Sequence, residues 1–524
     1  MKQSEKVIFK PYDPNQATFL PPSLDELIPE DHQVRFINAI IDRINIDEIL
    51  GSYKGGGTSS YHPRLMLKIL IYGYVQRIYS CRELAKASRE HIHFMWLSGG
   101  QAPDFRTINL FRKSRLRTTL KDLFTQVMQI LIDKQLVDLK HYFVDGTIVE
   151  ANARKHSAVW AKNVGRYEAS LREQIKELFE QIQAAGDAED QDYGDRDFLE
   201  TGEDSPWSSD DLKEAVDRIN DNMERQPSKK AGAKATIKKA VGKLSRDKLP
   251  RLRRYEQQKK VLAGRNSFSK TDPDATFMKG KDQPIFSKQL IAAYNIQLGT
   301  QNQFIVGYSL HQKPSDKTNL CEHLNQLINL PSTIIGDAGY GTADNYQWLK
   351  AHEIEAYLKY PGYDRKPDAY SPRQMPYDPS EDSYECPQGR KLRYQGEIRR
   401  NYGQPIALKA YECESCHGCP VREQCHKSVG NRRIHINPSL MAWKDWVDHR
   451  LSKPLGQWLK RRRSPEVESV FGQLKCNDGL RRFAMRGKSM VELEMGLKAL
   501  AHNLRRLYAV KAGESQATWE METG

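Results

Sequence analysis

Long hydrophobic runs are missing from this sequence. No apolar stretch approaches the roughly 18 residues that a membrane span needs. The longest apolar-leaning segment, Leu65 to Val75, is interrupted by Lys68 and reads as a buried helix. The opening residues, MKQSEKVIFKPYDPNQ, lack the apolar core of a secretory signal. Membrane insertion and secretion are thereby disfavoured, and a cytoplasmic protein is expected. Cysteine is sparse over most of the chain: Cys81, Cys321 and Cys476 are scattered, and the other five fall between 386 and 425. In a reducing compartment such clustering argues for metal rather than disulfides. Acidic residues are outnumbered, 67 Asp and Glu against 81 Lys and Arg, for a formal charge of +14. A basic excess of that size suits a polyanionic partner, and with membranes disfavoured the expected one is nucleic acid.

What is present divides the chain. Residues 1–125 read as helical. Pro63 ahead of RLMLKILIYGYV suits a helix begun at a proline. Ser80-Cys81-Arg82-Glu83 has capping-box form, and Asp104 is placed to cap a helix carrying Ile108, Phe111 and Leu116. From 141 onward, HYFVDGTIVEA, YNIQLGT, FIVGYSL, STIIGDAG and EIEAYLKY are short β-rich runs, some with helical segments between them. The pattern predicts an α/β sheet broken by insertions.

One insertion, 161–285, is charged. Asp187 to Asp211 carries eleven acids and one arginine, and Lys229 to Lys260 carries thirteen basic residues and two acids. Its composition describes a solvated helical hairpin with an acidic linker, or a basic half that tracks DNA phosphates. A second insertion, 365–440, holds the clustered cysteines. Beyond it, Lys460 to Lys488 carries nine Lys and Arg against Glu466, Glu468 and Asp478. A last helix sets Leu493, Leu497, Leu500, Leu504 and Leu507 on one face, a core stripe.

Two acids stand at the ends of apolar runs, each beside a glycine. Asp145 follows Phe143 and Val144 and precedes Gly146; Asp337 follows Ile334, Ile335 and Gly336. Singly, each is a turn signal. On neighbouring strands they could converge on a hard cation such as Mg²⁺, which takes oxygen ligands. A third acid lies in SPEVESVFGQLK. Val467, Val470, Phe471 and Leu474 repeat at helical spacing and face a core, which puts Glu468, Gly472 and Lys475 on an adjacent stripe. Glu466 lies about 200° around that helix from Glu468 and is not expected to share its role. A helix-interior glycine costs about 1 kcal/mol against alanine, a cost tolerated if the stripe must approach a nucleic-acid backbone.

Cys413, Cys416, Cys419 and Cys425 follow C-x2-C-x2-C-x5-C, with Cys386 upstream in Cys386-Pro387-Gln388-Gly389. That spacing favours a closed, tetrahedral, structural Zn²⁺ site, with an iron–sulfur cluster as the alternative. Five cysteines compete for four positions, Cys386 standing in reserve, and His417 and His426 are further donors.

At these residues the sequence resembles a known family. HYFVDGTIVEANA, TIIGDAGYG and VESVFGQLK…GLRRFAMRGK look like the three active-site blocks of DDE transposases from bacterial insertion sequences. YHPRLMLKILIYGYVQRIYSCRELAKA is similar to that family's helical domain, and YECESCHGCPVREQC resembles the cysteine insert of one branch. The resemblance implies an RNase H-like catalytic core assembled from 138–160, 286–364 and 445–512. A helical domain at 1–125 would bind DNA ends or dimerise, and 365–440 would be a zinc-ribbon-like module. It implies that Asp145, ending the first strand, Asp337, after the fourth, and Glu468, on the late helix, hold Mg²⁺ or Mn²⁺ and carry catalysis. Arg461, Arg462, Arg463, Lys475, Arg481, Arg482 and Arg486 would bind DNA. The family commonly carries Tyr and Arg ahead of the glutamate and Lys seven positions after it. Lys475 fits, whereas Arg461 and Ser464 stand where Tyr and Arg are expected, with Arg463 one position away. The expected partner is double-stranded DNA, transposon ends and target, bound by a homodimer or larger synaptic assembly.

Overall fold

The computed structural model describes residues 23–53, 60–187, 207–225, 231–280, 289–366, 368–401 and 405–523. Most of the acidic run after Asp187 lies outside them. The chain divides into two units, Met1–Asp133 with Gly496–Gly524, and Lys134–Met495.

The first unit is helical, as its sequence predicts. Its longer helices are Gln33–Arg43, Pro63–Val75, Cys81–Glu90 and Arg117–Asp133, joined by the C-terminal helix from Gly496 onward. Pro63 opens its helix, where a missing N–H costs nothing, and His62 Nδ1 accepts the N–H of Arg64 at 3.2 Å. Asp104 caps Phe105–Phe111, accepting the N–H of Thr107 at 2.7 Å. Ser80 stands at the expected N-cap, but its hydroxyl makes no capping bond. Arg505 donates to the carbonyls of Tyr74 and Val75, a cation at the end of Pro63–Val75. The leucine stripe of the last helix, Lys488–Thr523, is buried throughout. That helix begins in the second unit and continues in the first, so the span 445–512 expected in one domain is divided at Gly496.

The second unit is built on a six-stranded mixed sheet. Its strands are β1 (His141–Glu150), β4 (Thr276–Met278), β5 (Ile291–Gln301), β6 (Phe304–His311), β7 (Thr333–Gly336) and β8 (Glu355–Leu358), with a separate β2–β3 pair (Ala158–Trp160, Ser267–Ser269). The order is β8-β7-β1-β5, with β4 and β6 sharing the outer edge of β5. β1, β7 and β8 run parallel, and β5 is antiparallel to β1 and β6. All five β-rich runs read from the sequence are strands of this sheet. One expectation is corrected. Asp145 does not end its strand, because Thr147, Ile148 and Val149 continue to pair with Ile296, Asn295 and Tyr294 of β5. The β-branched residues after the Asp-Gly step hold the chain extended.

The charged insertion is more than a solvated hairpin. Helices Ala161–Asp187, Ser209–Arg225, Ala231–Lys243 and Leu249–Leu262 enclose a core that includes Leu171, Ile175, Phe179, Leu212, Ile219 and Leu252. The cysteine-bearing insertion is an antiparallel sheet of order β13-β12-β11-β10-β9: β9 (Tyr377–Asp378), β10 (Ser383–Glu385), β11 (Lys391–Asn401), β12 (Pro405–Cys413) and β13 (Arg433–Ile436). Among the described residues, no helix is long and apolar enough to cross a membrane.

Candidate active site

β1 and β7 bring two of the three expected acids together. Val144 pairs with Gly336 in parallel register, so Asp145 and Asp337 are the next residues along adjacent strands. The Asp337 carbonyl then accepts the N–H of Tyr340 at 3.0 Å, which turns the chain away from the sheet. Glu468 comes from the helical segment Pro454–Asn477. That segment tightens and loosens along its length: α-helical to Arg463, π-helical over Ser464–Glu468, α-helical over Ser469–Gly472, π-helical again over Gln473–Asn477. Pro465 lacks the N–H that a regular helix needs there, which accounts for the first wide turn. Val467, Val470, Phe471 and Leu474 are buried as the spacing requires.

The wide turn sets Glu468 against Arg463. Arg463 Nη2 donates to Glu468 Oε1 at 3.1 Å, and Ser464 Oγ donates to Glu468 Oε2 at 2.7 Å. The same guanidinium reaches β1, with Nη1 3.5 Å from Asp145 Oδ2. That second contact is an ion pair without hydrogen-bond geometry. Asp145 Oδ1 also accepts the N–H of Gly146 at 2.7 Å. One cation therefore joins a helix carboxylate to a strand carboxylate whose neighbour is Asp337. Among the described residues, no three His, Cys, Asp or Glu side chains are gathered closely enough to hold a metal ion. The donors nonetheless fit a hard divalent cation. They are carboxylate oxygens, two beside adjacent strands and one on a helical segment, and a positive group already lies between two of them.

Buried Tyr340 reports on the same neighbourhood. Burial pushes its hydroxyl far above the ordinary tyrosine range, and the charges of Asp316, Asp145 and Asp337 push it further. Asp316 carries no signal in the sequence. It sits in a polar turn, PSDKTN, with no apolar run to mark it.

The arginines expected on DNA have different surroundings. Arg461 is exposed, and its Nη2 donates to Gln457 Oε1 at 3.5 Å. Arg462 bonds Glu466 at 3.0 Å and Asn302 at 2.7 Å. Glu466 is buried and accepts the N–H of Gln303, so it fixes the β5–β6 turn and takes no part beside Glu468. Arg482 and Arg486 donate to the carbonyls of Ala153 and Asn152, just past β1. Arg481 is exposed and Lys475 half-buried. A Cβ at Gly472 would meet nothing within 4 Å, so the chain's own packing does not require glycine there.

Two family models match this chain. A transposase domain (DUF772) matches residues 22–114, and a transposase DDE domain matches residues 385–508. Both matches indicate a DDE transposase of an insertion-sequence type. No curated protein and no solved structure matches it. The DDE-domain match takes in Glu468, the five clustered cysteines and β11–β13, and does not reach Asp145 or Asp337.

In the second insertion the five clustered cysteines line one small cavity, together with Arg390, Arg422, His426 and Arg432. Cys386 follows β10 and accepts the N–H of Arg390; Cys416 accepts the N–H of Arg432, both at 3.3 Å. Arg432 Nη1 lies 2.5 Å from Cys425 Sγ. Burial raises the Cys413 thiol to about 11, helped by Cys416 and Cys386 beside it. His426 Nε2 is buried, with no hydrogen-bond partner among the described residues, whereas His417 is exposed and does not line the cavity. Convergent thiols that accept backbone N–H groups are a donor set suited to a soft divalent ion.

Proposed function

We propose that this transposase cleaves DNA at the ends of its element and joins the freed 3′-hydroxyl to target DNA, using Asp145, Asp337 and Glu468. The observation that supports the reading is the pairwise linkage of these acids from distant parts of the chain. β1 and β7 set Asp145 beside Asp337, and Arg463 ties Asp145 to Glu468. The sheet order, with three parallel strands continued by an antiparallel pair, supports an RNase H-like core. Divalent ions held by the acids, Mg²⁺ or Mn²⁺, would activate the attacking oxygen and stabilise the leaving one. The residues themselves supply fixed carboxylates on a rigid rim. No covalent intermediate with the protein is required, so no serine or tyrosine nucleophile is invoked. The cysteine cavity would hold one structural Zn²⁺.

The test is strand transfer in vitro with the DNA that flanks the gene. Cleaved ends joined to target DNA support the reading; cleavage without joining would make the protein a nuclease. Asp145→Asn should abolish both steps and leave DNA binding intact, because it removes a ligand and no basic surface.

A further inference from the structure

The charged insertion carries a groove of its own. β2 ends at Trp160, and the helix Ala161–Asp187 starts at the next residue. Asn163 and Tyr167 lie one turn apart on that helix and so share a face. The helix Leu249–Leu262 contributes Arg254, Gln257 and Val261, again at helical spacing, and Lys270 follows β3. With Trp160 these residues line an open groove of about 650 Å³. Buried Val164 and Phe268 complete its wall.

The lining combines three chemistries. Two aromatic rings are accessible: Tyr167 is 49% exposed, and Trp160 is half-buried, its ring 5.7 Å from that of Phe277. Arg254 and Lys270 are exposed cations, and Arg166, next to Tyr167, donates to its hydroxyl at 3.3 Å. Asn163 and Gln257 bring amides, which both donate and accept. Among the described residues, none that lines the groove is Asp or Glu. Cations without carboxylates select a polyanion. Phosphate alone makes no use of an aromatic face, whereas a nucleobase stacks on one. In a duplex each base face is covered by its stacked neighbour, so only an unpaired strand offers bases to these rings.

We propose that this groove seats an unpaired stretch of DNA strand. Trp160 and Tyr167 stack on its bases, Arg254 and Lys270 bind its phosphates, and the amides of Asn163 and Gln257 meet the base edges. The inference rests on the reading of DNA as the substrate, and adds the form in which the helical insertion holds it. Amides that donate and accept can suit any base edge, so binding should show little sequence preference.

The test is equilibrium binding of the full-length protein, without divalent ions so that nothing is cleaved, to three labelled DNAs. These are a single strand of mixed sequence, an abasic strand of the same length, and the corresponding duplex. Tyr167→Ala and Trp160→Ala should each weaken binding to the single strand about tenfold, the scale of one lost base stack. Tyr167→Phe and Trp160→Phe keep a ring and should retain most of the affinity. The abasic strand should bind weakly and alike in all four variants, and duplex affinity should not change. Arg254→Ala should lower the slope of log K against log salt for the single strand by about 0.7. Thermal melting beside the titrations detects unfolding of Trp160→Ala, whose ring packs on Phe277; half-exposed Tyr167 then decides the matter. Unchanged single-strand affinity in Tyr167→Ala would overturn the proposal, as would an equal loss for the abasic strand. A different failure marks the underlying reading: wild-type protein that binds none of the three DNAs would overturn DNA as the substrate.

Discussion

Arg463 Nη1 lies 3.5 Å from Asp145 Oδ2, while Nη2 of the same guanidinium bonds Glu468 at 3.1 Å. Residues more than three hundred positions apart in the chain are joined by one side chain that is only 15% exposed. A cation already stands where the proposed ions would bind, so the two must compete.

Arg463→Met is therefore expected to tighten Mn²⁺ binding by the free protein several-fold, since a positive charge beside the ligands is gone. Without metal, the same variant should be less stable, by about 1 kcal/mol. Glu468 is 55% exposed, which limits what the pair contributes. Mn²⁺ titration and thermal melting check both. Weaker Mn²⁺ binding would mean that Arg463 orients the ligands more than it competes for them.

Much of this site is legible in the sequence because its signals are local. The strands announce themselves through β-branched and aromatic residues, and the helix carrying Glu468 through the spacing of Val467, Val470, Phe471 and Leu474. The extent of β1 was not legible. Asp145-Gly146 has the form of a turn, and only pairing with β5 keeps the strand going to Glu150. Asp316 and the Arg463 bridge were hidden for a related reason. Each depends on which residues distant in sequence meet across the sheet, and no spacing rule encodes that. The charges of the insertion mask, in the sequence, the apolar residues that give its helices a core.

The three consecutive arginines should behave differently on DNA. Arg461 points outward, whereas Arg462 and Arg463 are engaged with Glu466, Asp145 and Glu468. Arg461→Ala should weaken binding to all sequences alike and lower the slope of log K against log salt by about one. Arg462→Ala should instead destabilise the β5–β6 turn and leave the slope nearly unchanged. Binding isotherms over a range of KCl concentrations distinguish the two. A slope unaltered by Arg461→Ala would remove it from the phosphate-contacting set.

Acid should unfold this protein through its buried histidines. Glu322 can only accept, so His311 donates to it from Nδ1 (3.3 Å) and accepts from Ser309 Oγ at Nε2 (2.7 Å). Ser309 in turn accepts from His323 Nδ1 (2.6 Å), which leaves His323 Nε2 to accept from the Tyr142 hydroxyl (2.7 Å). Burial holds His323 at about 3, below the ordinary 6.5, and lowers His311 as well. Both are neutral in the fold and take up protons in the unfolded chain below pH 6.5. The stability they confer is complete above pH 6.5 and falls as the pH drops toward 3, by about 1.4 kcal/mol per pH unit for His323. Urea titrations at pH 7 and pH 5 should show the loss, and His323→Gln should flatten it. Equal pH dependence in that variant would place the acid sensitivity elsewhere.

The cysteine cavity should separate structure from catalysis. Purified protein is expected to contain about one zinc per chain by elemental analysis and to be colourless, because a closed tetrahedral thiolate site leaves no redox chemistry or open position. Brown protein containing iron and acid-labile sulfide would replace zinc by a cluster. Cys416→Ser removes a sulfur that is buried and accepts the N–H of Arg432, so stability or soluble yield should fall. Any folded fraction should still bind Mn²⁺ at the aspartates, since the cavity lies in the β9–β13 insertion and Asp145 and Asp337 on the other sheet. Metal-free protein has its own signature. Cys413 is held as a thiol up to about 11, above its ordinary 9, so the stability this confers is complete below pH 9 and lost as the pH rises through 11. Zinc binding must expel that proton, and apparent zinc affinity should therefore rise with pH. A fully stable, metal-free Cys416→Ser protein would reduce the cluster to a set of buried thiols.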